Sequence, residues 1–186
     1  MAHYEVEAKP AEGYQSEAKL EGALINQLQS QGYELVKVQN EEGLLKNLRY
    51  QLELLNDVSL SDTEWARLLP LISNDQMTIQ DKTEMLQGKG YILNLKMDNG
   101  QDKNIKILDK ANVFNNRLQV THQYEVDNGA YKNRYDVTIL VNGLPMVQIE
   151  LKRRGVASRR LSTRLTAISV ILSGQEGACS TLCRYL

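Results

Sequence analysis

The chain has 186 residues, 42% of them hydrophobic, which is enough for one core and short for two. Its 22 Lys and Arg against 23 Asp and Glu leave a net charge of -1, which excludes a globally basic nucleic-acid binder and leaves a local basic patch as the way to meet phosphate. No apolar run reaches the roughly 18 residues of a membrane span, and Glu5, Glu7 and Lys9 stand where a signal peptide would be apolar, so no membrane role and a soluble, cytoplasmic protein are expected. The two cysteines, Cys179 and Cys183, lack the spaced Cys/His partners of a structural zinc site and imply no disulfide framework.

Residues 1–13 are polar and aperiodic, and read as an arm. Ser16 then fits a helix N-cap, and Leu20, Leu24 and Leu28 recur at helical spacing until Gly32, which predicts a helix from about Glu17 to Gln31. A short strand around Tyr33, Leu35, Val36 and Val38 follows, then a second helix from Glu42 to Leu55. Asp62 is the expected cap of a third helix beginning near Thr63, which Pro70 should bend or end. Residues 90–96 have strand composition and Asp98-Asn99-Gly100 is turn chemistry. Ile105, Ile107 and Leu108, and then Val113, Phe114, Leu118, Val120 and Tyr124, suggest two more strands.

The strongest local signal runs from Asn133 to Lys152 and reads as a β-hairpin on Asn142-Gly143. Its odd positions Tyr135, Val137, Ile139 and Val141, and Pro145, Val147, Ile149 and Leu151, are all apolar or aromatic and should share the buried face. Odd positions pair with odd positions only across a loop with an odd residue count, so a three-residue loop, Val141-Asn142-Gly143, is expected. A two-residue Asn-Gly turn would instead place Glu150 and Lys152 on the face of Val137 and Ile139. The preferred register gathers Asp136, Gln148, Glu150 and Lys152 on the second face. Two carboxylates from neighbouring strands can hold a hard divalent cation, and an ammonium two residues on can orient a water. Such a set suits phosphodiester hydrolysis, and Arg153 and Arg154 directly after it could meet phosphate.

Asp136 followed by Glu150-Leu151-Lys152 resembles the motif of the PD-(D/E)xK nuclease superfamily. More narrowly, residues 133–145 with 148–157 look like the N-terminal nuclease domain of the R (motor) subunit of type I restriction enzymes, with weaker similarity at Tyr14-Gln15-Ser16-Glu17 and the helix after it. The resemblance implies an α/β fold with a mixed, mostly antiparallel sheet flanked by helices over residues 14–157. It also implies Mg²⁺ bound by Asp136 and Glu150, with Lys152 positioning the attacking water. It matches Glu21 to an acid near the site, leaves Gln148 as a support for a ligand or as a plain surface residue, and makes Arg134, Arg153 and Arg154 candidates for DNA contact. The implied substrate is double-stranded DNA, and the implied partners are methyltransferase and specificity subunits. In the family ATP serves a motor region, and no Gly-x-x-x-x-Gly-Lys-Ser/Thr loop occurs in this chain.

The family continues past Glu-x-Lys into a helix with a Gln-x-x-x-Tyr motif, whereas residues 158–186 do not follow it. Permitted codons for Ser162 to Ile168, read in a shifted frame, give Asn-Gln-Ile-Asn-Arg-Tyr, so the tail is expected to arise from a frameshift. Two further readings stand beside the nuclease: a non-catalytic DNA-binding or subunit-docking remnant, and a solitary repair-type nuclease of the same fold.

Overall fold

The computed structural model describes residues 16–74, 76–88, 90–127 and 132–151, with their side chains except at 79, 125–127 and 132–135. The expected features at residues 1–13 and 158–186, and the side chains of Arg134, Lys152, Arg153 and Arg154, lie outside that description.

Helix α1 (Glu17–Ser30) begins where Ser16 accepts a hydrogen bond from the Lys19 N–H, and ends at Gly32, whose φ of +94° no branched residue would favour. Strand β1 is only Glu34–Leu35. After it the Val36 N–H still bonds the Val120 carbonyl at 2.9 Å, and then a side chain takes over: the Thr121 hydroxyl donates to the Val38 carbonyl at 2.8 Å and accepts from its N–H at 3.3 Å. Helix α2 (Glu41–Asn56) is capped by Asn40 and closed by Asp57 in the left-handed region.

Helix α3 (Asp62–Ile72) starts one residue earlier than its sequence suggests. Ser61, not Asp62, is the cap, because Glu64 three residues on returns the bond to the Ser61 N–H and completes a capping box. Asp62 instead pairs with Arg49 at 2.7 Å. Pro70 sits inside the helix near its end, and the helix runs two residues beyond it. Helix α4 (Ile79–Gln87), capped by Thr78 and Asp81, was not anticipated.

Strands β2 (Ile92–Lys96) and β3 (Asp102–Lys106) form a separate antiparallel pair. Val113 and Phe114, expected in a strand, lie instead in a 3₁₀ turn at Val113–Asn115. The Asp109 carboxylate accepts from the Ala111 and Asn112 N–H groups and from the Asn115 amide, so side-chain bonds take the place of a ladder there.

The main sheet has four strands in the order β1-β4-β5-β6, with β4 (Leu118–Asp127), β5 (Lys132–Val141) and β6 (Leu144–Ile149). β1 runs parallel to β4 and the other pairs are antiparallel, so the sheet is mixed, mostly antiparallel and flanked by helices. Against one face, α1 lays Ile25 and Leu28 over Val120 and Val137, with Ile139, Ile149 and Leu151 alongside. Against the other, α2 lays Leu44 over Leu140 and Tyr124. Gln123, at φ +54°, interrupts the alternation of β4 and carries Tyr124 to the α2 side. The far side of α2 packs through Leu48 and Leu52 on α3, α4, β2 and β3. Each fully buried leucine of this layer contributes about 1.5–3 kcal/mol relative to exposure.

The β5–β6 hairpin has both of the features that sequence arithmetic treated as alternatives. Its turn holds two residues, Asn142 and Gly143, both at positive φ. Val137 still pairs with Ile149 and Ile139 with Val147, as the apolar pattern requires, because Met146 is an extra residue on β6 between the pairs Ile139–Val147 and Leu140–Pro145. The surplus residue expected in the loop is a bulge in the strand. The turn itself is seated: the Asn142 side chain donates to the Ile107 carbonyl and to Asn116, and accepts from the Arg117 N–H.

Candidate functional site

β6 stops at Ile149, one position past which the register sets Glu150 opposite Asp136. The Asp136 Oδ2 atom accepts the Leu151 N–H at 2.6 Å, a charge-assisted bond that ties the carboxylate to the end of the departing strand. Asp136 is half-buried and Glu150 exposed. The apolar cluster under α1 holds Val137, Ile149 and Leu151 on the opposite side of the same strands, so burial of these residues fixes which way the carboxylates face.

Two carboxylates whose remaining lone pairs are hard oxygen donors match magnesium, which takes one or two protein carboxylates and fills its octahedron with water and phosphate. No set of three or more His, Cys, Asp or Glu side chains converges on a metal position among the described residues. Two carboxylates could supply only part of a hard cation's shell, the rest of which would have to come from water and phosphate.

Gln148 lies on the same face one ladder step inward, paired with Thr138. It is no surface residue: it is 3% exposed. Glu21, in the second turn of α1, meets a partner that the sequence did not suggest. Its Oε1 lies 2.9 Å from His122 Nδ1, with the two side chains 15% and 38% exposed. His122 pairs across the ladder with Val137, so this couple approaches the sheet from the α1 side, opposite in strand parity to Asp136. The two residues are 101 positions apart, and no spacing rule could have joined them. The structure thus brings Asp136, Glu150 and Gln148 to one edge of one face and sets Glu21 with His122 across the sheet. Of Arg134 it gives the backbone alone, in β5 opposite Glu125.

A four-stranded mixed sheet covered by helices on both faces, with a carboxylate pair where one hairpin strand departs, is consistent with a nuclease-like α/β core. The chain belongs to the family described as type I restriction enzyme R protein N terminus, whose profile matches residues 14–172. It is 43% identical over 158 residues to the type I restriction enzyme EcoprrI endonuclease subunit of Escherichia coli, a match covering 84% of this chain and 50% of that subunit. It is 44% identical over 148 residues to the SsaAORF53P endonuclease subunit of Staphylococcus saprophyticus and 42% identical over 148 residues to the SauMSSORF170P endonuclease subunit of Staphylococcus aureus. Each of these two matches covers 77% of this chain but 15% of the relative. The chain thus spans half or less of the relatives it matches. No helix among the described residues is long and apolar enough to cross a membrane.

Proposed function

We propose that this chain is the Mg²⁺-dependent endonuclease domain of a type I restriction enzyme R subunit and hydrolyses phosphodiester bonds of double-stranded DNA. The observation that carries the reading is the Asp136 carboxylate, held by the Leu151 N–H at the strand end where Glu150 follows, in a chain whose relatives are named as endonuclease subunits. Asp136 and Glu150 hold the cation, which supplies Lewis acidity toward a phosphoryl oxygen when bound. The Lys152 ammonium donates a hydrogen bond to the oxygen of the attacking water and so orients it toward phosphorus. Arg134, Arg153 and Arg154 meet the non-bridging oxygens and the flanking backbone, an electrostatic contact that weakens with salt. ATP-driven translocation belongs to the longer remainder of such subunits, and recognition of the target to partner methyltransferase and specificity subunits.

The test is cleavage of a supercoiled plasmid by the full chain with and without Mg²⁺. Metal-dependent nicking is expected, with loss of about 10²-fold or more in Asp136→Asn and Lys152→Ala, the scale on which removal of one electrostatic group acts. DNA binding without cutting by the unaltered chain overturns the reading in favour of a docking remnant, as does cutting that survives both substitutions. The proposed shift of frame beyond residue 157 is checked by the DNA around the Ser158 codon: motor sequence in the alternative frame supports it, and an early stop there refutes it.

A further inference from the structure

Behind the carboxylate edge, a row of polar side chains crosses three strands. Thr121 of β4 pairs with Thr138 of β5, and Thr138 pairs with Gln148 of β6. They are 1%, 1% and 3% exposed. Thr121 is satisfied by the Val38 backbone, and in the next row inward Gln119 is satisfied by Asn47. The Thr138 hydroxyl and both ends of the Gln148 amide have no hydrogen-bond partner among the described residues.

Buried amides and hydroxyls are seldom left unpaired, because each forfeits its bonds to water. The two unpaired side chains face each other across the ladder and do not bond to each other, although an internal water would find in them a hydroxyl, an amide N–H and an amide carbonyl. A buried water asks for two to four such partners. The carboxylate positions lie two residues further along the same strands, about 6.6–6.8 Å away at strand spacing, and a Gln side chain plus one water spans that gap. Two other buried atoms without a partner among the described residues, Gln51 Oε1 on α2 and Ser73 Oγ after α3, belong to other elements; within this row the satisfied side chain is on β4, and the unsatisfied ones are on β5, which carries Asp136, and on β6, which leads into Glu150.

We propose that Thr138 and Gln148 hold an internal water that hydrogen-bonds outward to Asp136 and to the hydration shell of the cation, so that both act as positioning residues for the metal site. The inference rests on the metal-dependent reading above. Groups that orient metal ligands commonly change metal affinity 10–100-fold when removed.

Calorimetric titration of the full chain with Mg²⁺, together with thermal melts, tests this on wild type, Asp136→Asn, Gln148→Met, Thr138→Val, the double variant and Thr138→Ser. Binding is expected to vanish in Asp136→Asn and to weaken about 10–100-fold in Gln148→Met and in Thr138→Val. The double variant should be no weaker than the worse single one, since one shared water is lost. Thr138→Ser, which keeps the hydroxyl, should restore affinity. Melting temperatures at or above wild type, read without metal, separate this from misfolding. If Asp136→Asn loses Mg²⁺ and the other variants bind like wild type, the water is refuted and the metal site stands. If the unaltered chain does not bind Mg²⁺, both fall together. Should Gln148→Met unfold, the contrast between Thr138→Val and Thr138→Ser decides the matter.

Discussion

Replacing Gly143 by alanine probes the seat of the hairpin that carries the carboxylates. Gly143 has φ +79°, and a Cβ built there would lie 2.6 Å from the Leu48 Cα and 2.9 Å from the Leu48 N. Those atoms belong to the backbone in the middle of α2, whose inward residues Leu44, Leu48 and Leu52 are fully buried, so no flexible side chain can give way. The left-handed backbone costs alanine about 1–2 kcal/mol, and forced overpacking adds about 1–3 kcal/mol. A destabilisation of about 2–5 kcal/mol is expected, a fall of roughly 4–20 °C in melting temperature for a chain of this size. Gly100 supplies the control. Its φ is +83° but nothing lies within 4 Å of the added Cβ, so Gly100→Ala should cost only the backbone share, about 1–2 kcal/mol. Urea unfolding followed by far-ultraviolet circular dichroism measures both. If the two variants lose equal stability, the turn does not rest on α2.

Three further outcomes follow from contacts already described. Asn56 clips α2 to β3, donating to the Lys106 carbonyl at 2.8 Å and accepting its N–H at 2.7 Å, so Asn56→Ala should cost about 1–3 kcal/mol in the same urea assay. The Ser61 hydroxyl and Arg67 hold Asp98 below the ordinary carboxylate range, and the Asn112 N–H and Asn115 amide do the same for Asp109. Their folded-state values being lowered, the stability they confer is present above the unfolded value and disappears as pH falls through the folded one. Urea midpoints should therefore hold from pH 7 to 5 and drop below about pH 4, and Asp98→Asn should flatten that drop. A double-mutant cycle on Glu21→Gln and His122→Gln should give a coupling of about 0.5–3 kcal/mol. A coupling near zero would mean that the 2.9 Å contact contributes nothing to stability.

The hairpin shows how far the sequence could be read. Alternation of apolar residues gave the pairing of Val137 with Ile149 and of Ile139 with Val147, since only that parity avoids burying Glu150 under α1. Parity fixes how many residues separate two pairs but not where a surplus one sits. The turn chemistry of Asn142-Gly143 and the odd count therefore suggest a three-residue loop, whereas the molecule meets both with a bulge at Met146. Helices α1 and α2 were legible to within a residue or so because their apolar stripes and caps are local. Helix α4 was not, since Met85 and Leu86 give a nine-residue segment too little periodicity to stand out. The face bearing Gln148 looked open from its polar composition. The burial of Gln148 at 3% exposure is set by tertiary packing, as is the meeting of Leu44 on α2 with Tyr124 and Leu140, which come some 80 residues or more later in the chain, and composition along one strand does not carry that information.

The bulge at Met146 acts as a one-residue gearbox between two requirements of opposite parity. Below it, the turn keeps the backbone shape that Asn142 and Gly143 favour. Above it, every side chain of β6 is handed to the other side of the sheet. Within this chain, the loss of a single methionine codon would leave the turn, every other apolar residue and all the acidic residues in place while rotating Glu150 toward the oily side of α1. Reactive groups that survive intact in a sequence can thus be disarmed by a length change of one residue several positions away from them.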